Sequence, residues 1–315
     1  MARKISVFAI IGLLTVALVA CGGPEEKKAK FFNKGKMLFE QGEYIKAGLE
    51  FKNAIQIDPK YAEGYYMLGR TVQRQGDLKK AYGAFSKAVD LDPNLMEAQL
   101  EMGRMLLLGG RAGDAMDKAD LILGNKPDDV NALLLKASVL MAQKKNNDAI
   151  GVLGGLKSHA SEKPEIYLLL ATAYVRDNNM PRAEVILKEG LAAHPDFVPL
   201  HLGLVRFYGE SMQPEKAESA LRRVIELEPD RATYKFNLAE LYWKEGRQAA
   251  AIDTIDEILD AEPDNERVYQ VAARFFMSKN QMGQAARILK SGAEALPDSH
   301  TVRILLGEVY LNQKN

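Results

Sequence analysis

The chain has 315 residues, with 42 Lys+Arg against 42 Asp+Glu, 47% hydrophobic residues and a single cysteine. Balanced charge excludes a strong general pull on nucleic acid or anionic lipid, and one cysteine excludes an intrachain disulfide. Stability must come from burial of apolar surface, and the length allows one large domain or two small ones.

At the N-terminus, Arg3-Lys4 precede an apolar run from Ile5 to Ala20, 16 residues long and interrupted by Gly12 and Thr15. A membrane-spanning helix needs about 20 apolar residues. A positive start, an apolar core and a small-residue end describe a secretory signal. The ending Leu18-Val19-Ala20-Cys21 resembles the lipobox of bacterial lipoproteins. The resemblance implies that residues 1–20 are a signal peptide that is cut away. Cys21 is then lipidated with three acyl chains, and residues 21–27 form the lipidated tether. Two chains already anchor a protein stably. Removal of 1–20 takes Arg3 and Lys4 and no acid, so the mature net charge is −2. Gly22, standing where an Asp would imply inner-membrane retention, points to the outer membrane, facing the periplasm. An uncleaved anchor, or an ordinary signal followed by a chance cysteine, are the alternatives.

Beyond the tether, Pro59, Pro93 and Pro127 lie 34 residues apart, as do Pro195, Pro229, Pro263 and Pro297, and only Ser161 breaks the shared register. Proline cannot continue a helix, so each marks a helix end. Twelve residues before each of these eight positions stands an alanine: Ala47, Ala81, Ala115, Ala149, Ala183, Ala217, Ala251 and Ala285. Eight residues before them stands a larger apolar side chain, among them Phe51, Phe85 and Leu289, with Ala119 the exception. Small and bulky side chains four apart share one helix face, which predicts close helix–helix packing there. Gly42, Gly76, Gly110 and Gly246 mark the turn between paired helices, where a left-handed residue ends a helix. The second helix of the fourth repeat carries Gly151, Gly154 and Gly155. Glycine costs about 1 kcal/mol against alanine in a helix, which makes residues 154–163 the candidate hinge.

A fixed 34-residue period with Tyr65, Leu68, Gly69, Gly76, Ala81, Phe85, Ala88 and Pro93 in one repeat resembles the tetratricopeptide repeat (TPR) family. The resemblance implies an all-α fold, a right-handed superhelical solenoid of antiparallel helix pairs. Eight repeats fill residues 28–299, and residues 300–315 form a ninth first helix or truncated cap. Ile304, Leu305, Leu306, Val309, Tyr310 and Leu311 lie on more than one face of that last helix. They predict self-association through residues 300–315, or a shortened relative of a longer repeat protein, unless the helix folds its apolar side onto repeat eight.

In the family the first helices line a concave groove. Carried over, that places Phe32, Tyr66, Leu100, Leu134, Leu168, Leu202, Phe236 and Gln270 at the fifth position of each first helix, and Phe39, Leu107, Met141, Val175, Trp243 and Met277 at the twelfth. Lys36, Arg70, Arg104, Arg206 and Arg274 fall at the ninth, with Arg74 beside them. The candidate binding residues are therefore Phe32, Lys36, Tyr66, Arg70, Arg74, Arg104, Phe236 and Trp243. The leucines read equally well as packing between neighbours, and the basic set as a solvated face.

There is no phosphate loop, no His-Glu-x-x-His and no serine elbow, and His159, His194, His201 and His300 are scattered. The expectation is a non-enzymatic scaffold with no cofactor, no metal and no nucleic acid, holding a protein or peptide in the groove and a membrane through Cys21. Cys21-Gly22-Gly23-Pro24 followed at once by repeats, with Phe51-Lys52-Asn53-Ala54-Ile55 and Lys126-Pro127-Asp128-Asp129, resembles the repeat lipoproteins of exosortase (PEP-CTERM) and exopolysaccharide systems. That resemblance implies a periplasmic scaffold in envelope or exopolysaccharide assembly. The alternatives are a pilotin-like lipoprotein for type IV pilus or secretin assembly and, from another class, an envelope hydrolase.

Overall fold

The computed structural model describes residues 23–313. The signal, Cys21 and Gly22 lie outside them. Seventeen α-helices and no strand occur among the described residues. They alternate as first and second helices: α1 (Pro24–Glu40) and α2 (Tyr44–Ile57), α3 (Ala62–Arg74) and α4 (Leu78–Leu91), α5 (Met96–Leu108) and α6 (Ala112–Asn125), α7 (Val130–Ala142) and α8 (Asn146–His159). The series continues with α9 (Pro164–Arg176) and α10 (Met180–Ala193), α11 (Val198–Glu210) and α12 (Pro214–Leu227), α13 (Ala232–Lys244) and α14 (Gln248–Ala261), α15 (Glu266–Ser278) and α16 (Met282–Ala295), and the unpaired α17 (His300–Gln313). The all-α fold of tandem helix pairs is as the family resemblance implied.

The turn inside each pair is a left-handed cap. Gly42, Gly76, Gly110 and Gly246 all take φ between +75° and +84°. In repeat one the N–H of Gly42 bonds to Phe39 O and that of Glu43 to Leu38 O, which is the Schellman arrangement. The same period places Lys144, Asn178, Met212 and Asn280 at φ of +55° to +62°. Every repeat therefore uses one left-handed residue, and four manage without glycine. Two of those four are asparagine, which tolerates this region better than other non-glycine residues.

The turn between pairs explains the Asp-Pro signature. Asp58 and Asp92 are C-cap residues with extended backbone, the conformation a following proline imposes. Their Oδ1 atoms accept the N–H of Lys60 and Asn94 at 3.0 and 2.9 Å, bridging the proline. Ala160–Ser161 makes the corresponding turn without proline.

The eight periodic alanines are all completely or almost completely buried. So are the side chains four residues on, including Phe51, Phe85, Leu221, Ile255 and Leu289. A Cβ on Gly69 would sit 2.6 Å from the Phe85 ring, and one on Gly35 2.6 Å from that of Phe51. In the first two repeats a glycine notch on the first helix thus receives an aromatic ring from the second. In repeat three, where Ala119 replaces the bulky residue, Leu135 of α7 fills the space against Gly103.

The chain divides into two compact units. One ends at Ser161 and includes Ala173–Asn178, and the other comprises Glu162–Thr172 and the chain from Asn179 on. Residues 24–27, expected in the tether, are the first turn of α1, because Pro24 at the first helical position and Glu25 and Glu26 in the first turn start the helix before residue 28. The candidate hinge, residues 154–163, runs from the end of α8, which buried Leu153 and Leu156 carry to His159, into the turn at Ser161 where the two units divide. Leu305 and Val309 are not uncovered: with Val302 they join the core of the C-terminal unit, while Ile304 and Leu311 remain exposed.

Candidate functional site

In the N-terminal unit the candidate groove residues come together on the first-helix face of α1, α3 and α5. Phe32 and Tyr66 are half-buried. Phe32 packs edge-on to Tyr61 at 5.0 Å and against Phe51 at 5.7 Å, and Tyr66 lies 6.2 Å from Phe85. Each ring is therefore an edge of the helix–helix packing as well as a surface group. Burial pushes the Tyr66 phenol above its ordinary range. Leu100 and Leu107 pack against the same core as Tyr66.

The basic residues sit over these rings. Lys36 Nζ lies 5.1 Å from the Phe32 centroid. The Arg70 guanidinium lies 5.0 Å from Phe39 and 5.8 Å from Tyr66. Arg104 pairs with Glu101 on its own helix at 2.8 Å, and Arg74 is exposed. Nearby, Lys28 bridges Glu25 and Asp58 and lies over Tyr61, and the Lys28 hydrogen bond holds the Asp58 carboxyl below its usual range. Tyr61 and Lys28 escaped notice in the sequence because they lie outside the five first-helix positions that the resemblance carries over.

In the C-terminal unit, Phe236 and Trp243 are half-buried against the core. Trp243 meets Phe275 and Phe276 edge-on at 5.8 and 6.2 Å. Lys279 covers Phe275 at 5.5 Å and pairs with Glu240 at 2.8 Å. Leu202 packs against this core, Leu168 reaches the space beside Gly203, and Gln270 donates to Glu266. Leu168 and Leu202 are half-buried, as Phe236 and Trp243 are, and the Gln270 bond lies within α15. Phe275 and Lys279 are additions that the periodic positions did not mark.

A charged network joins α12 to the following helix pair. Glu218 of α12 accepts hydrogen bonds from Tyr242 at 2.6 Å, Arg247 at 2.6 Å and Arg222 at 3.0 Å. Burial disfavours its ionised form, but these three donors outweigh that and bring the carboxyl down to about 2. A depressed carboxyl stabilises the fold fully above its unfolded value of 4.5 and loses that contribution as pH falls towards 2. Glu218→Gln is therefore expected to cost roughly 1–2 kcal/mol at neutral pH, as loss of a charge-assisted bond does. Denaturant titrations should show the difference from the parent closing between these two pH values. A difference that is constant down to pH 2 would remove Glu218 from the account.

Among the described residues no group of three His, Cys, Asp or Glu could hold a metal ion, and no helix is long and apolar enough to cross a membrane.

The family model described as the cytochrome c-type biogenesis protein H TPR domain matches residues 25–167. A second, described as tetratricopeptide repeat, matches 140–206, 181–235 and 210–275. No curated protein is similar to the chain in sequence. Among solved structures, the APC/C hetero-tetramer Cut9–Hcn1 is similar at a TM-score of 0.53 and 19% identity, over 93% of this chain and 58% of that one. Pseudomonas aeruginosa pilF is similar at a TM-score of 0.52 and 18% identity, over 70% of this chain and 100% of that one. At such identities the likeness is one of fold.

Proposed function

Because the chain is a tetratricopeptide-repeat protein across residues 25–275, we propose that it is a non-enzymatic scaffold that holds a protein or peptide along its first-helix face at a bacterial envelope membrane. The observation that carries the reading is the state of that face. Phe32, Tyr66, Phe236 and Trp243 are half-buried, whereas the second-helix residues that pair the repeats, such as Phe51 and Phe85, are sealed. Rings held rigidly at one edge and open at the other are good anchors, since little side-chain entropy is left to lose. In the family this face is the concave one.

Anchoring rests on Cys21 as a lipidated residue. With α1 starting at Pro24, a lipid on Cys21 would hold the first repeat close to the bilayer. Gly22 supports the periplasmic side of the outer membrane as its location. The similarity of the leader and first repeats to exosortase- and exopolysaccharide-associated lipoproteins supports a role in polymer assembly or export. A pilotin-like role is the alternative, and the pilF likeness, being one of fold, does not favour it.

The test is site-specific photo-crosslinking in cells. A photoreactive residue at Tyr66 or Trp243 should give discrete protein adducts, and one at Ile45, exposed on α2, should not. Alanine at Tyr66, Arg70, Arg104 and Trp243 together should abolish the adducts formed from Phe32 while the helical circular dichroism persists. Equal labelling from Ile45, or adducts unchanged in the four-alanine protein, would overturn the groove reading. Mass spectrometry of the native N-terminus tests the anchor separately, and an unmodified Cys21 would remove it.

A further inference from the structure

We propose that the second-helix face of repeat one is seated on an anionic lipid bilayer through Ile45 and Leu49. The inference rests on the reading of Cys21 as a lipid anchor. It adds a second point of contact, which fixes how the first repeat lies on the membrane.

Ile45 and Leu49 stand four apart on α2, so they share one helix face, and they are 82% and 60% exposed. The 34-residue period gives each an equivalent in every repeat. All sixteen of these positions, two in each of eight repeats, are exposed. The fourteen outside repeat one hold a single large apolar side chain, Val185, and include Lys79, Asp117, Glu215 and Asp253. A terminal repeat is where a solenoid most needs a polar outer face. Repeat one carries the pair of bulky aliphatics there instead. Neither packs into the core beneath, so no structural role accounts for them.

The charges around them name the surface they meet. The exposed residues of α2 are Ile45, Lys46, Leu49, Lys52 and Gln56, with no acid among them. On α4, Lys79, Lys80 and Lys87 are exposed against one carboxylate, Asp90. Lys46 and Lys80 pair with Glu43 and Asp77, whereas Lys52 and Lys79 make no ion pair among the described residues. On α6 the exposed charges turn acidic, at Asp117 and Asp120. The whole chain is balanced in charge, so any attraction to anionic lipid has to be local, as it is here. Aliphatic side chains in the acyl region with lysines at the headgroups are the binding mode of an interfacial helix. Tyr44 lines an open hollow with Ile45 and Lys46, and tyrosine suits headgroup depth.

The anchor favours a bilayer over an acidic protein as the occupant. Residue 21 stands three residues before α1, so a lipid there keeps this repeat beside the membrane. A tethered contact is intramolecular, and two aliphatic side chains suffice where they would bind weakly alone. α1 has 17 residues and is about 25 Å long. The anchor precedes one end of the α1–α2 pair, and Ile45 follows the turn at the other. A lipid alone leaves the pair free to swing. With Ile45 and Leu49 seated as well, the pair lies along the bilayer and the first-helix residues Phe32 and Tyr66 stay clear for a partner.

The experiment uses the full chain processed in cells, purified and reconstituted into vesicles of phosphatidylethanolamine and phosphatidylglycerol. A polarity-sensitive dye is carried on Gln41→Cys, exposed in the turn at the far end from the anchor. Nitroxide-labelled lipids should quench it. Ile45→Gln with Leu49→Gln should lower the seated fraction at least about tenfold, as expected for two aliphatic side chains withdrawn from lipid. Vesicles of phosphatidylcholine alone should also weaken the contact. Both replaced residues are exposed, so thermal unfolding should be unchanged. Quenching that persists in the double variant, no quenching without those changes, or equal quenching in phosphatidylcholine would each overturn the seat. So would a photoreactive residue at Leu49 that captures a second copy of the chain, or another protein, instead of lipid. The anchor fails separately, if mass spectrometry finds Cys21 unmodified. The unlipidated chain is then floated with the same vesicles: binding that the double variant loses sustains the seat, and no binding overturns it.

Discussion

Truncating Phe85 to alanine will cost the N-terminal unit about 3–5 kcal/mol, the range for deleting a buried aromatic side chain. The side chain is fully buried and sits in the notch that Gly69 leaves on α3. Gly69 has no atoms with which to refill the space, and Tyr66 lies with its ring centroid 6.2 Å away on the same side. The loss should appear as a lower unfolding midpoint and as faster amide exchange in α3 and α4, since repeats in an array open locally. A double-mutant cycle makes the mechanism specific. Gly69→Ala alone drives a Cβ to 2.6 Å from the ring, so it should destabilise despite alanine's better helix propensity. In the Phe85→Ala background the ring is gone, and the same change should stabilise. A loss below about 1 kcal/mol for Phe85→Ala, or a Gly69→Ala effect of the same sign in both backgrounds, would show that the notch is not what couples the two helices.

The same notch shows why the fold was legible and the candidate binding face less so. A 34-residue period with alanine fixed at one position can be satisfied only by stacked helix pairs, and the eight alanines are buried as that requires. The left-handed turn was visible wherever it was glycine. It was invisible at Lys144, Asn178, Met212 and Asn280, because the rest of the turn imposes the conformation there whatever the side chain. The start of α1 was missed because the motif begins at residue 28, while Pro24 and the two glutamates after it suffice to open a helix. On the first-helix face, the family resemblance named Phe32, Tyr66 and Trp243 as candidates but could not show that each is half packed into the core. It also could not find the covering of rings by cations. Arg70 reaches Phe39 from the neighbouring repeat, and such contacts depend on the offset between repeats rather than on the spacing within one. Leu305 and Val309 illustrate the converse error, since an apolar residue on a terminal helix can face inward as easily as out.

Replacing Gly151, Gly154 and Gly155 together by alanine will stabilise α8 by about 2–3 kcal/mol, close to the sum of three glycine-to-alanine helix propensities. The gain depends on the absence of any steric cost. At all three positions a Cβ would meet nothing within 4 Å, so none of these glycines makes room for a neighbour. The helix exists despite them because Ala149, Leu153 and Leu156 bury its other side. Its exposed last turn is further loosened where Ser158 and His159 direct their side chains to the carbonyl oxygens of Gly154 and Gly155, bonds that compete with the regular backbone pattern. Alanine lowers the entropy of the unfolded segment and leaves every native contact in place. Amide exchange in α8 should slow by roughly 30- to 150-fold, the factor that such a gain implies for local opening. Gly292→Ala in α16 is the matched control with opposite sign, because its Cβ would lie 2.7 Å from the Tyr269 ring. If the triple alanine protein exchanges no more slowly than the parent, the bare side of α8 is not open, and the glycines must be accommodating something that approaches the backbone there.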